Sequence, residues 1–145
     1  MYYIFFINNI EFAEKVWNSE DVVNFLLESN IWVFSSYAPN LKYLSEGDRV
    51  VIYLAGKGKR FFAADFTIAC KPYEVKPESN EPDWLMMFPI RIDIINVKIW
   101  SKNLPIGDVI EQLGFIKDKK NYGLYFRQST RVIEEKDFST IVGDK

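Results

Sequence analysis

A chain of 145 residues with 48% apolar and 26% charged side chains has the size and make-up of one globular domain, able to bury a core without disulfides or metal. It holds no histidine and one cysteine, Cys70, which excludes Ser–His–Asp and Cys–His catalysis, histidine-ligated zinc and an intrachain disulfide. A net charge of −2 excludes bulk attraction to polyanions, so a nucleic-acid partner has to be held by a local basic patch and by stacking. Aromatic residues make up 17% of the chain, which suits either a β-rich core or a stacking pocket. Cys70 reads as a small buried hydrophobe, and no tight acidic cluster marks a site for a hard metal, so neither metal nor cofactor is expected.

The opening run, residues 1–9, is too short to span a membrane and has no basic flank or cleavage site. It reads as a strand over Tyr2–Ile7, and the expected compartment is cytoplasmic. Residues 11–17 allow a short helix. Ser19 is placed to cap a second one, with Glu20 and Asp21 in its first turn, Val22, Val23, Phe25, Leu26 and Leu27 as its apolar residues, and Asn30 at its stop. Residues 31–34 form a short apolar run, followed by a polar loop through Ser35, Ser36, Tyr37, Pro39 and Asn40. Residues 48–54 read as a strand entered by a turn at Glu46-Gly47, and Gly56-Lys57-Gly58-Lys59 as a hairpin turn into a returning strand over 60–73. The proline-containing stretch 74–83 is a surface loop, and 85–100 is the longest extended stretch. A helix is expected over 104–113, capped by Asn103, with Pro105 in its first turn and Gly114 at its end. A last strand over 129–133 and a closing helix over 134–142 complete an α+β reading: an antiparallel sheet that can close into a small barrel, flanked by short helices. No linker, repeat or low-complexity tract divides residues 1–145, which read as a single domain.

Five stretches, in order along the chain, resemble the EVE family of the PUA-like superfamily, structural cousins of the YTH readers of methylated adenine. They are Asn40-Leu41-Lys42 through Gly47-Asp48 and the strand to Tyr53; Pro72-Tyr73; Phe88-Pro89-Ile90-Arg91-Ile92; Leu113-Gly114-Phe115-Ile116-Lys117 with Lys119-Lys120-Asn121-Tyr122; and Phe126-Arg127-Gln128-Ser129 leading to the segment from Glu134 to Phe138. The fourth is similar to the archaeal branch of the family. Departures stand beside the matches. Trp32 is followed by Val33-Phe34, where the family has a glycine, Ala64 stands where it commonly has another, and the N-terminal helical region is longer than in bacterial members.

The resemblance implies a PUA-like antiparallel pseudobarrel and a non-enzymatic module that binds DNA or RNA by taking one modified or flipped base into an aromatic-lined pocket. It directs attention to Trp32 as a pocket wall, or else a core tryptophan, and to Trp84 as a second wall, or else a loop anchor. Tyr53 faces the pocket or the core. Ser35, Ser36 and Asn40 supply small polar groups to the pocket or simply make the turn. Arg127 and Gln128 are the strongest polar candidates, able to meet a base edge and its phosphate, or to form surface salt bridges instead. Lys57, Lys59 and Arg60 form one basic turn and Lys117, Lys119 and Lys120 another; bordering one groove they would make a phosphate patch, and otherwise they are solvated surface charges. Two rival readings remain open. One is a hydrolase of the sibling ASCH kind, whose Gly-x-Lys-x-x-Glu-x-Arg pattern is missing here and for which Asp65, Lys71 and Glu74 are the available groups; the other is an adaptor that docks a protein partner on an apolar patch.

Overall fold

The computed structural model describes residues 1–145. Strand β1 (Tyr2–Ile7) carries apolar residues at every position because both of its faces are covered. Tyr3 and Phe5 point into one core, while Ile4 and Phe6 point into another. Strand β5 (Arg49–Leu54) pairs with β1 in parallel and divides its side chains the same way. The sheet is therefore mixed, where an antiparallel one was expected. A parallel pair needs a crossover, and the segment between these strands supplies it: the hairpin β2 (Ile10–Phe12) and β3 (Lys15–Trp17), helix α1 (Ser19–Glu28) and strand β4 (Ile31–Phe34).

The hairpin replaces the helix expected over 11–17. Ala13 and Glu14 sit at φ values of 52° and 63° in a two-residue turn, a conformation their side chains do not favour, and tertiary packing of Ile10, Phe12 and Trp17 overrides their helix preference. Helix α1 is capped by Asn18 rather than Ser19, its Oδ1 accepting the Glu20 N–H at 2.8 Å.

Strand β6 (Phe61–Ile68) returns against β5, and a bulge at Ala63 turns Phe62 over to the second core. Cys70 follows, half-buried rather than buried, its Sγ accepting the Asp93 N–H at 3.3 Å. The short β7 (Tyr73–Glu74) and a 3-10 turn at Asp83–Met87 precede β8 (Ile90–Pro105). The first part of β8 pairs with β4 and β7 and the remainder with β6, with a left-handed residue, Asn96 (φ 54°), where the register slips. Because β8 runs on to Pro105, the helix expected over 104–113 loses its cap and first turn. With Gly107 and the β-branched Val109 and Ile110 following, the chain settles for two 3-10 turns, Ile106–Asp108 and Ile110–Gln112. A further 3-10 turn, Tyr122–Phe126, leads to β9 (Thr130–Ile133) on the far side of β1, and helix α2 (Glu135–Val142) closes the fold.

The sheet order β4-β8-β6-β5-β1-β9 curls into a half-barrel, a PUA-like pseudobarrel with two helices. Helix α1, Trp84 and Leu85 fill its concave side, while α2 and the 3-10 segment 106–126 cover the other face. Strands β4 and β9 do not pair, so the curled sheet has a seam. No helix is long and apolar enough to cross a membrane.

Candidate functional site

The seam holds a cavity of about 270 Å³. One wall is the end of β1 and the residues after it, Phe6 to Asn9, and the facing wall is β4 with Ser35. Val22 and Leu26 of α1 form the floor, Met87 and Phe88 one side, and Ser129, just before β9, the remaining corner. Three aromatic residues, Trp32, Phe34 and Phe88, thus meet around a space slightly below the roughly 300–1,000 Å³ of pockets for drug-sized ligands, while Phe6 borders it from β1 with its ring turned into the second core.

Polar groups gather at the rim. Asn8 Oδ1 accepts the Asn9 N–H and Asn9 Oδ1 accepts the Ser19 N–H, both at 2.9 Å, which fixes the loop leaving β1 to the start of α1. The Phe6 N–H donates to the Ser129 carbonyl at 2.9 Å and holds that corner in place. A clamp spans the seam nearby: Thr130 Oγ1 donates to the Pro39 carbonyl at 2.7 Å and accepts from Asn40 Nδ2 at 2.9 Å. This clamp fastens the loop after β4 to the start of β9, and Asn40 adopts the left-handed conformation (φ 68°) within it.

The structure brings together only some of the residues singled out from sequence. Trp32 is 3% exposed, packed between Phe5 and Phe66 with one side on the cavity; it is at once a core residue and the back wall. Ser35 reaches the cavity, whereas Ser36 is exposed outside it. Asn40 is occupied by the Thr130 clamp and does not line the space. Trp84 is corrected from wall to anchor: it is 2% exposed, edge-on against Phe25 and Phe88 behind the cavity. Tyr53 lies on the opposite face of the sheet, because β5 alternates and its neighbour Ile52 takes the concave side. Arg127 and Gln128 are exposed on the segment running into Ser129, beside the cavity rather than within it.

The two basic turns are divided. Arg60 and Lys120 share a second cavity, about 330 Å³, with Tyr53, Tyr122 and Phe126. Burial, with the Tyr122 phenol next in weight, pushes the Tyr53 hydroxyl well above the usual phenol range, against the pull of Arg60. Lys59 pairs instead with Glu20, Lys119 donates to the Leu113 carbonyl, Lys57 is free in solvent, and Lys117 lines a separate hollow with Glu134, Lys136 and Asp137. A Cβ on Gly56 would stand 2.7 Å from Asn8 Oδ1, so the two cavities adjoin: Asn8 borders the first and Gly56 the second.

The groups proposed for hydrolysis do not converge. Asp65 is buried on the outer face, accepting from Trp100 Nε1 at 2.8 Å and Arg49 Nη2 at 3.2 Å, while Lys71 and Glu74 stand at another hollow beside β7. Sequence reasoning missed Phe6, Phe34, Phe88, Met87 and Asn8, whose signal was only apolar or turn-like, and Thr130, an ordinary strand residue by type. It also passed over Tyr37, which stands 96% exposed two residues after Ser35; an aromatic in a polar loop was the available clue.

Comparison with known proteins agrees with this architecture. A structure of a Pseudomonas putida protein superposes with a TM-score of 0.63 at 14% identity, covering 98% of this chain and 97% of that one. The DUF55 domain of human thymocyte nuclear protein 1 gives 0.63 at 15% identity, covering 98% and 96%. Human THYN1 in complex with 5-methylcytosine-containing DNA gives 0.61 at 12% identity, covering 95% and 93%. Among curated proteins none matches the sequence. Such low identities establish a shared fold, while the EVE domain family itself matches residues 12–143, nearly the whole length, and the chain belongs to that family.

Proposed function

We propose that this protein binds nucleic acid, DNA or RNA, and takes one modified or flipped base into the seam cavity, without a catalytic step of its own. The observation that carries the reading is the cavity walled by Trp32, Phe34 and Phe88 with Asn8, Asn9, Ser35 and Ser129 around it. Flat apolar faces accept a heterocycle, and the rim offers donors and acceptors to its polar edge. Membership of the EVE family, together with a fold neighbour bound to 5-methylcytosine-containing DNA, supports a base of this kind as the occupant. Stacking contributes about 1–3 kcal/mol per base, and sensing one added methyl about 1 kcal/mol more. Arg127, Gln128 and Tyr37, exposed on the segments that run into the cavity, are placed to meet the strand outside it.

The test fills the cavity while sparing the core. Met87 lines the space and is 41% exposed, so Met87→Trp adds bulk at the mouth without disturbing buried packing. Fluorescence titration with oligonucleotides differing in one modified base should show discrimination by the parent and none by the variant, at unchanged melting temperature. Retained discrimination with the mouth blocked would overturn the assignment.

A further inference from the structure

We infer that the second cavity is a phosphate subsite, taking an internal phosphodiester of the strand whose base enters the seam cavity; this rests on the reading above. Arg60 and Lys120 reach the cavity from segments far apart in sequence, joined there by the phenols of Tyr53 and Tyr122, and none of its eight lining residues is acidic. Neither cation is in an ion pair, whereas Arg49, Lys59 and Arg91 each have a carboxylate partner. Guanidinium, ammonium and phenolic O–H are all donors, so the chemistry assembled here is that of an anion receptor.

The backbone adds a second observation. Arg60 is held at φ 72°, in the left-handed region where glycine is at ease and arginine is strained. Its N–H donates to the Leu54 carbonyl at 2.8 Å, and its own carbonyl accepts from the Ile106 N–H at 3.0 Å, which fixes the position rigidly. An arginine kept where glycine fits better points to work for the side chain. The common wall at Asn8 and Gly56 places the subsite beside the base cavity, within reach of the backbone of an inserted nucleotide.

The experiment measures fluorescence anisotropy of labelled single strands, DNA and RNA, each with and without one central 5-methylcytosine, over a range of chloride concentrations. Arg60→Gly deletes the guanidinium and relieves the backbone, so its melting temperature holds or rises and weaker binding cannot reflect unfolding. Lys120→Gln removes the second charge. Each variant should weaken binding to methylated and plain strands by the same factor and flatten the slope of log K against log salt by about 0.7. Parent-like slopes in both variants would overturn the subsite and leave the base reading intact. Equal parental affinity for methylated and plain strands, with flattened slopes in the variants, would overturn methyl reading and leave the subsite standing. Weakening confined to strands with a terminal phosphate, or displacement by inorganic phosphate beyond that by chloride at matched ionic strength, would overturn an internal phosphodiester as occupant. No parental binding to any strand overturns both.

Discussion

Truncating Trp84 separates a core anchor from a ligand wall. Its indole is 2% exposed and packs edge-on against Phe25, with centroids 5.7 Å apart, and Phe88, at 6.3 Å. Removing a buried tryptophan side chain costs about 3–5 kcal/mol, and each edge contact accounts for about 0.5–1.5 kcal/mol of pair interaction. Against a typical total of about 5–15 kcal/mol for a domain, Trp84→Ala should leave a folded but weakened protein. At this chain length the loss corresponds to a melting temperature roughly 10–15 °C lower, read by circular dichroism. Trp84→Phe keeps most of the buried area and should lose much less. Well below its melting point, Trp84→Ala should discriminate modified from plain oligonucleotides as the parent does, because the side chain does not line the seam cavity. A variant melting within about 2 °C of the parent would refute the core assignment, since surface changes are the ones that cost so little.

Tyr37→Ala should leave stability within about 0.5 kcal/mol, yet weaken oligonucleotide binding by about 1–3 kcal/mol if the exposed ring stacks on a neighbouring base; unchanged affinity in a titration removes it from the interface. Asp65→Ala strands the Trp100 indole N–H and one Arg49 donor, and should cost about 2–3 kcal/mol in urea unfolding; an unmoved midpoint would refute that network. Asn18→Ala removes the cap of α1 and should cost about 1 kcal/mol by the same assay, whereas Ser19→Ala, which does not cap, should fall short of that. Burial, reinforced by the hydrogen bond to Asp93, pushes the Tyr73 hydroxyl up to about 12 from 10.0. The neutral phenol is the favoured form, so its stabilising effect is complete below pH 10 and is lost as pH rises through 12, because the unfolded chain ionises first. The difference between alkaline spectrophotometric titrations of the parent and of Tyr73→Phe should be one tyrosine titrating late, and an ordinary titration for that residue would remove the linkage.

The sequence by itself determined the strands with unambiguous patterns, the main helix and the family. Apolar runs at Tyr2–Ile7 and Val50–Leu54, short, rich in β-branched and aromatic residues and bounded by turn signals, read as strands, and the glycines around Lys57 mark the turn between β5 and β6. Tertiary structure decided everything that depends on which distant surface a side chain meets. Ala13-Glu14 became a hairpin turn because packing outweighed local preference, and Leu104 to Leu113 became strand end and 3-10 turns because the pairing of β8 with β6 runs on to Pro105 and leaves a segment with weak helix formers. The bulge at Ala63 and the alternation of β5 put Phe62 and Tyr53 on the face away from Trp32, so residues that looked like one pocket were divided between two cavities. Phe34 and Phe88 went unrecognised as cavity walls for a related reason. In a one-dimensional pattern, an aromatic facing an open seam is indistinguishable from one facing a filled core; only the unpaired edges of β4 and β9 create the difference.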